Sequence, residues 1–421
     1  MTLSQRDQKS IWHPYTQMLS APPAIPILRG QGAYLYSDEG KRYIDAVSSW
    51  WVTLHGHAHP YIAGKVSEQL LELEQVIFAG FTHKPAIELA EALLALLPEK
   101  QTKVFYTDNG STAVEVALKM CLQFWSNQGQ VRQKIIAFKN GYHGDTFGAM
   151  SVSGRSAWTK AFEDLLFDVM FIDTPNQDNL AALKTFISTH ATDTACFIYE
   201  PLVQGSAGML MHEPAALDEL LVHCHQEGIL LIQDEVFTGF GRTGRHFACD
   251  YLRQAPDLMC FSKGLTGGTM PMGITTCSAE IYEAFLSADK TRALFHGHSF
   301  TANPLACRAA LASLDLLLQK ETQENISRIC KQHRQFRKHI QNHPKVKQIR
   351  QLGTILALEW ETGTDSSYFH DLRDRLYTYF LENGILLRPL GNIIYLLPPY
   401  CITDKDLNYI YFTIEKALNI L

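Results

Sequence analysis

Five short and mostly apolar runs divide the middle of the chain, and polar residues and glycines follow each of them. The runs are Lys103–Thr107, Lys134–Phe138, Ala195–Tyr199, Ile229–Gln233 and Leu258–Ser262. Runs of this kind are typical of strands covered on both faces, as in a parallel sheet. Helical spacing over Ile87–Leu97 and Thr112–Gln128 surrounds the first run, and such alternation builds βα units. The pattern predicts an α/β fold with a mostly parallel central sheet.

The two ends of the chain differ from this middle part. Near the start, strand-like pieces flank a turn at Asp38-Glu39-Gly40, and a long helical stretch follows residue 305. Gly353–Trp360 and Ile385–Leu397 are predicted to be strands of a smaller α/β domain. We predict three parts, namely an N-terminal segment that joins the small domain (1–49), a large domain (50–305) and a C-terminal small domain (306–421).

Composition narrows the function. Hydrophobic residues make up 46% of the 421 residues and charged residues 19%, as in a globular enzyme. A net charge of -6 gives no reason to expect nucleic-acid binding. Nine cysteines without a CxxC pair favour reduced thiols. The opening residues resemble no signal peptide, and no apolar run reaches the length of a membrane span. We expect a cytoplasmic enzyme that acts on small molecules.

The residues that follow the predicted strands carry the functional prediction, because ligands bind at the carboxyl ends of parallel strands. Lys263 lies there within FSKGLTGGTM, and Asp234 follows ILLIQ. Gly110 and Ser111 open a helix whose free amides attract an anion, and Tyr142 is flanked by glycines. Singly, each has an ordinary explanation as a surface lysine, a cap or a packed aromatic. Together, an amine, a carboxylate, an aromatic ring and a phosphate cradle indicate pyridoxal phosphate.

Two other motifs suggest different classes of protein. Gly239–Gly244 matches the GxGxxG pattern of a nicotinamide dehydrogenase, but five residues separate it from the strand and no helix pattern follows. Histidine pairs suggest a metal-dependent hydrolase, but no acidic residue stands at ligand spacing. These pairs are His55, His57 and His59, then His223 and His225, then His296 and His298. A non-catalytic binding protein is a third alternative, in which Lys263 would be dispensable.

The motifs FSKGLTGG, IYEPLVQG, ILLIQDEVFTGFGRTG and NGYHGDTFGAMSVSG resemble those of the class III aminotransferases, and the resemblance covers nearly the whole chain. It implies the pyridoxal-phosphate-dependent transferase fold type I. It further implies that Lys263 carries the cofactor as a Schiff base and moves the substrate proton. In this family Asp234 would hold the pyridinium, Tyr142 would stack on the ring, and Gly110 with Ser111 would bind the phosphate.

Three further motifs, IWHPYTQM, SSWW and LLRPLGNIIYLLPPY, resemble the branch of the family that serves biotin biosynthesis. That branch transfers the amino group of S-adenosylmethionine to 8-amino-7-oxononanoate by a ping-pong mechanism. The resemblance places Tyr15 and Trp50 in the substrate pocket, with Tyr142 and Lys263, and pairs Arg388 with the acceptor carboxylate. An ornithine or 4-aminobutyrate aminotransferase is the alternative within the family.

The same family forms homodimers in which a glycine and a hydroxyl residue of the partner subunit reach the active site. The corresponding stretch here is Phe295–Phe300, so Gly297 would line the substrate pocket and His298 and Ser299 would bind the cofactor. The better-known pattern has Pro-Thr where this chain has His298-Ser299. The His-Ser pair resembles members that take their amino group from lysine, so lysine is the alternative donor.

Overall fold

A computed structural model describes residues 1–363, 368 and 370–421. Its strands, in chain order, are β1 (Ile27–Gln31), β2 (Tyr34–Ser37), β3 (Arg42–Asp45), β4 (Gln101–Thr107), β5 (Lys134–Phe138), β6 (Met170–Ile172), β7 (Thr194–Tyr199), β8 (Val203–Gln204), β9 (Leu210–Met211), β10 (Leu230–Asp234), β11 (Leu258–Phe261), β12 (Gly273–Ser278), β13 (Val346–Leu352), β14 (Ile355–Trp360), β15 (Ile385–Leu386) and β16 (Ile393–Leu396).

The helices surround these strands. They are α1 (Leu3–Ser10), α2 (Ser48–Trp51), α3 (Pro60–Glu72), α4 (Lys84–Leu94), α5 (Gly110–Asn127), α6 (Phe147–Val152), α7 (Leu180–His190), α8 (Pro214–Gln226), α9 (Ala279–Glu283), α10 (Pro304–Leu317), α11 (Lys320–Ile340), α12 (Leu372–Glu382) and α13 (Asp404–Ile420). Short 3₁₀ turns occur as well, and one of them spans Lys263–Thr266.

A seven-stranded sheet forms the centre of the molecule, with the order β4-β12-β11-β10-β7-β5-β6. Its strands are parallel except for β12, which is antiparallel to both neighbours. Successive residues of a strand join opposite cores: Leu231 packs in one core and Ile232 in the other. Because both faces are covered, the strands need continuous apolar runs. This confirms the predicted α/β fold with a mostly parallel sheet.

Two smaller sheets bring the chain ends together. The hairpin of β2 and β3 turns at Gly40, as predicted, and β3 pairs in parallel with β15 through Ile44 and Ile385. A second sheet has the order β13-β14-β16. The N-terminal hairpin therefore shares a sheet with the C-terminal part. The predicted boundaries near residues 49 and 305 stay a prediction, which this pairing supports.

One predicted strand is wrong in its extent. Ile385–Leu397 is two strands, β15 and β16, and they belong to different sheets. Pro389 provides no backbone N–H for a ladder, and Gly391 adopts a left-handed φ of 65°. These two residues turn the chain between the sheets.

All nine cysteines are free and seven of them are buried. Among the described helices, none combines the length and the apolar character that crossing a membrane requires.

Candidate active site

Lys263 lies at the carboxyl edge of the central sheet, directly after β11 and Ser262. Its backbone adopts a φ of 45°, a region that side-chain-bearing residues rarely occupy and that is common at functional sites. Its Nζ lies 4.5 Å from the ring centroid of Trp51 and 5.6 Å from that of Phe237. The amine therefore lies over two aromatic faces, in a residue that is half-buried.

This environment changes the acidity of the amine. Burial lowers the pKa of Lys263 to about 8, against the opposing effect of the Asp234 and Glu200 carboxylates, and the Arg242 guanidinium adds to the decrease. Desolvation disfavours the charged form of an amine. Lys263 can therefore act as a nucleophile and a base near neutral pH.

Asp234 is the last residue of β10 and is buried. One carboxylate oxygen accepts the backbone N–H of Val236 at 3.0 Å, and the other lies 2.7 Å from Nδ1 of His143. His143 is itself buried, and its Nε2 contacts no hydrogen-bonding partner among the described residues. The histidine fixes the orientation of a carboxylate that can hold a nearby cationic nitrogen.

Glu200 follows β7, and sequence reasoning left its role open. Its carboxylate accepts the backbone N–H of Tyr142 and that of Gly205, each at 3.0 Å. Burial raises the pKa of Glu200 to about 7, although the neighbouring His143 opposes the increase. The hydrogen bond to the Tyr142 amide fixes the backbone of the loop that carries Tyr142. Glu200 therefore positions the Tyr142 ring through its backbone.

The first turn of α5 forms an anion cradle. Asn109 caps the helix by accepting the N–H of Thr112 at 3.0 Å, which leaves the amides of Gly110 and Ser111 free of a helical acceptor. A Cβ at Gly110 would lie 2.8 Å from Cγ1 of Val236, and one at Gly144 would lie 2.1 Å from Oγ of Ser111. Only glycines fit at these positions, and a phosphate suits the exposed amides.

A second group of side chains lines the mouth of the site. The Tyr15 hydroxyl donates to Asp145 at 2.6 Å and lies 3.4 Å from the Tyr142 hydroxyl. Trp50 meets Tyr15 edge to face at 5.7 Å, and the Arg388 guanidinium lies 4.2 Å over the Trp50 ring. In the described part of the chain, Arg388 has no carboxylate partner. The mouth thus combines aromatic walls with a cation free to bind an anion.

Gly297, His298 and Ser299 lie in a segment at the surface of the chain. Gly297 and Ser299 are exposed, and the Ser299 carbonyl accepts a hydrogen bond from Gln75 at 2.7 Å. In the described part of the chain, this segment forms no hydrogen bond with Lys263 or Asp234. A single chain therefore does not bring this part of the predicted site together.

Several histidines of these pairs have structural partners. His57 bonds Asp45 at 2.8 Å, and His223 bonds Ser188 at 2.9 Å. Within residues 1–363, 368 and 370–421, His, Cys, Asp and Glu residues do not form a group of three or more that could hold a metal ion.

The GxGxxG segment is likewise a packed turn. Buried Arg242 donates to the Pro398 carbonyl at 3.0 Å, and Gly244 packs against Gly353. No α-helix of the described chain begins there, and a dinucleotide site requires one.

Sequence reasoning missed four residues of the site, which are His143, Asp145, Trp51 and Phe237. All four lie inside quoted motifs, NGYHGD, SSWW and ILLIQDEVFTGFGRTG, so adjacency to Tyr142, Trp50 and Asp234 was the available signal. The structure adds the contacts that sequence could not supply.

This set of residues fits pyridoxal phosphate. A desolvated lysine amine can form a Schiff base, a buried aspartate can hold the pyridinium nitrogen, and the helix amides and Ser111 suit the phosphate. The glycines at 110 and 144 let the backbone approach Val236 and Ser111 closely, which keeps Ser111 in place beside the free helix amides.

Comparison with known proteins agrees with this geometry. The profile of the family "Aminotransferase class-III" matches residues 15–418. An adenosylmethionine-8-amino-7-oxononanoate aminotransferase of Synechococcus elongatus is 46% identical over 97% of this chain and 98% of that protein.

Solved structures give the same result. A crystal structure of the enzyme of that name from Methanocaldococcus jannaschii has a TM-score of 0.95 at 36% identity, covering 99% of this chain and 98% of that chain. An omega transaminase of Pseudomonas jessenii in complex with PMP has a TM-score of 0.93 at 27% identity, covering 100% and 98%. The chain therefore belongs to the class III aminotransferases, which are pyridoxal-phosphate-dependent enzymes of fold type I.

Proposed function

We propose that this aminotransferase transfers the amino group of S-adenosylmethionine to 8-amino-7-oxononanoate, giving 7,8-diaminononanoate in biotin biosynthesis. The relatives from Synechococcus elongatus and Methanocaldococcus jannaschii carry this activity in their names. Both align over nearly their full length with this chain. With its nine free cysteines, the enzyme suits the reducing cytoplasm.

The observation that carries the proposal is the Arg388 guanidinium on the face of Trp50, 4.2 Å from the ring centroid. The acceptor is a long apolar chain that ends in a carboxylate. A planar guanidinium binds a carboxylate through two parallel hydrogen bonds. Trp50 and Tyr15 supply apolar faces for the chain, and the same faces can hold the sulfonium cation of the donor.

Each side chain of the site has a separate role in the reaction. When bound, the cofactor supplies a carbonyl that condenses with amines and a ring that accepts electrons. Lys263 Nζ would take the proton from the donor α-carbon and deliver it to the cofactor, and for the acceptor it would carry a proton from the cofactor to the carbon that receives the amino group. Asp234, held by His143, would stabilise a positive charge on the ring nitrogen. Gly110 and Ser111 would bind the phosphate, and Tyr142 would pack on the ring.

We further propose that the enzyme is a homodimer whose partner subunit supplies Gly297, His298 and Ser299. Exposed apolar side chains occur beside this segment in the chain and in the stretch 70–81 that contacts it: Phe295, Phe300, Leu70, Leu71, Ile77 and Phe81. The Gln75–Ser299 hydrogen bond joins the two stretches into one surface, and such surfaces mark protein contacts. His298 Nε2 is buried without a partner among the described residues.

Analytical ultracentrifugation tests whether the enzyme is a dimer, and hybrid dimers test whether the partner subunit contributes to the active site. Lys263→Ala and Ser299→Glu chains should each be inactive, because one lacks the amine and the other repels the phosphate. Mixed after gentle dissociation, they should regain activity, since one site of each hybrid then has both native residues. A monomeric protein, or a mixture as inactive as its parts, would contradict the dimeric site.

The donor and the acceptor are tested separately on the purified holoenzyme. S-adenosylmethionine should bleach the visible band of the lysine-bound cofactor, and 8-amino-7-oxononanoate should then restore it. His298-Ser299 favours lysine as a second candidate donor, and bleaching by lysine alone would select it. If only ornithine or 4-aminobutyrate reacts, the biotin assignment is wrong, although the family assignment stands.

A further inference from the structure

The segment Ser48–Trp51, which we call the tryptophan strap, has an unusual backbone. Ser48, Ser49 and Trp51 adopt φ values of 50°, 60° and 70°, and the ψ of Ser49 is -92°. Residues with side chains rarely adopt such conformations, and these persist only where surrounding contacts enforce them. Something in the fold must therefore hold the strap in place.

The strap connects the two halves of the site. Trp50 lies under the Arg388 guanidinium at 4.2 Å, and Trp51 lies 4.5 Å from Lys263 Nζ. The Trp51 indole also donates to the Tyr395 hydroxyl at 3.0 Å. A change in the strap's backbone would move both tryptophans relative to the cation and the amine they face.

Asp45 supplies the contacts that hold the strap. Its fully buried carboxylate accepts the Ser49 N–H at 2.7 Å through Oδ2 and the Val47 N–H at 3.2 Å through Oδ1. His57 Nε2 bonds the same Oδ2 at 2.8 Å. His57 is fixed in turn by two backbone hydrogen bonds with Gly32, at 2.8 and 3.2 Å.

The Asp45–His57 pair holds the strap at Ser49, which lies between the strap's side-chain attachments at Ser48 and Trp51. Ser48 Oγ donates to the Leu397 carbonyl at 2.7 Å, but this bond anchors only the start of the strap. The Asp45 carboxylate receives the amide of Ser49, the residue with the least favourable backbone. Hydrogen bonds to a charged acceptor are stronger than those between neutral groups.

We infer that Asp45 and His57 are positioning residues of this enzyme, which hold the strained strap so that Trp50 aligns Arg388 for the acceptor carboxylate and Trp51 packs against Lys263. The identity of that acceptor rests on the proposed function. The holding of the two tryptophans does not depend on it. Asp45 lies in the stretch DEGKRYIDA (Asp38–Ala46) and His57 in HGHAHP (His55–Pro60), so both stretches serve the site although the catalytic residues lie elsewhere.

The test compares Asp45→Asn with Asp218→Asn in the holoenzyme. Asp218 is also buried and also accepts two backbone amides, those of Arg253 and Gln254 at 2.6 and 2.9 Å, but the catalytic groups described above do not contact it. Asp45→Asn should raise the KM for the acceptor about tenfold or more, as expected for loss of a charged hydrogen bond. It should also change the near-ultraviolet circular dichroism of the tryptophans.

Asp218→Asn should lower only the melting temperature. If it changes KM and the tryptophan signal as much as Asp45→Asn does, or if Asp45→Asn changes neither, the inference is overturned. If the native enzyme did not use 8-amino-7-oxononanoate, the proposed function would be refuted and not the role of Asp45. The near-ultraviolet circular dichroism of the tryptophans would still test the role of Asp45 in that case.

Two His57 variants keep the test decisive if Asp45→Asn does not fold. In His57→Gln, an amide nitrogen can replace Nε2 as the donor to Asp45, whereas His57→Leu removes the donor. We expect His57→Gln to retain the native KM and tryptophan signal, and His57→Leu to alter both. Equal behaviour of the two variants would overturn the inference.

Discussion

The acidity of Lys263 can be measured without the catalytic reaction. With a pKa of about 8, about one amine in ten is deprotonated at pH 7. An ordinary lysine, with a pKa near 10.4, has roughly one in 2,500. The structure therefore predicts roughly 200 times more reactive amine at neutral pH than an exposed lysine would offer.

Competitive labelling of the cofactor-free enzyme between pH 6 and 11 tests this value. Acetic anhydride would be shared with a reference amine, and mass spectrometry would follow the peptide that contains Lys263. Labelling should rise with pH, with a midpoint near pH 8 in the folded protein. In the urea-unfolded protein the midpoint should lie at about pH 10.4.

Removal of the Asp234 charge tests the direction in which this carboxylate shifts the pKa of Lys263. The Asp234 carboxylate raises the pKa of Lys263 against the effect of burial, so Asp234→Asn should move the labelling midpoint to lower pH. Circular dichroism would verify that the variant is folded. A native midpoint near pH 10, or an upward movement in Asp234→Asn, would refute the account of a desolvated amine.

Two further predictions concern the mouth and the cradle. Arg388→Lys keeps the charge but loses the planar guanidinium, so the KM for 8-amino-7-oxononanoate should rise about tenfold or more. Arg334→Lys, at an exposed position, is the control and should keep the native KM. If Arg388→Lys also kept the native KM, Arg388 would not bind the carboxylate. Gly144→Ala should weaken cofactor retention in dialysis and destabilise the protein by about 1–3 kcal/mol, because its Cβ would lie 2.1 Å from Ser111 Oγ. Gly129→Ala, at a positive φ of 73° with open space around it, is the control for a side chain at positive φ without a collision. A loss of cofactor retention in Gly129→Ala as large as that in Gly144→Ala would contradict the role of the cradle.

Sequence predicted the central sheet well because its strands are buried on both faces. Such strands must be apolar without interruption, so β5 has the predicted bounds, β11 is one residue shorter than predicted, and β10 is shifted by one residue at both ends. Strand β12 was not predicted, since Gly273–Ser278 is polar in part. Its threonines are satisfied by distant groups: Thr275 donates to the Ala113 carbonyl and Thr276 to Gln101.

The candidate site was predictable where one residue type serves one chemical purpose. Lys263, Asp234 and the Gly110–Ser111 turn follow strands of a parallel sheet, and topology brings strand ends together. The supports could not be predicted in the same way. His143 and Glu200 act through contacts with Asp234 and the Tyr142 amide, and no local pattern specifies which buried groups will meet.

The most direct test of the central claim is the visible absorbance of the holoenzyme, recorded for the native protein and for Lys263→Ala. The native band should fade when S-adenosylmethionine is added and return with 8-amino-7-oxononanoate. Lys263→Ala should lack the lysine-bound band and fail to convert donor to product. If Lys263→Ala retained the native spectrum and turnover, Lys263 would not be the catalytic amine and the account of this site would be wrong.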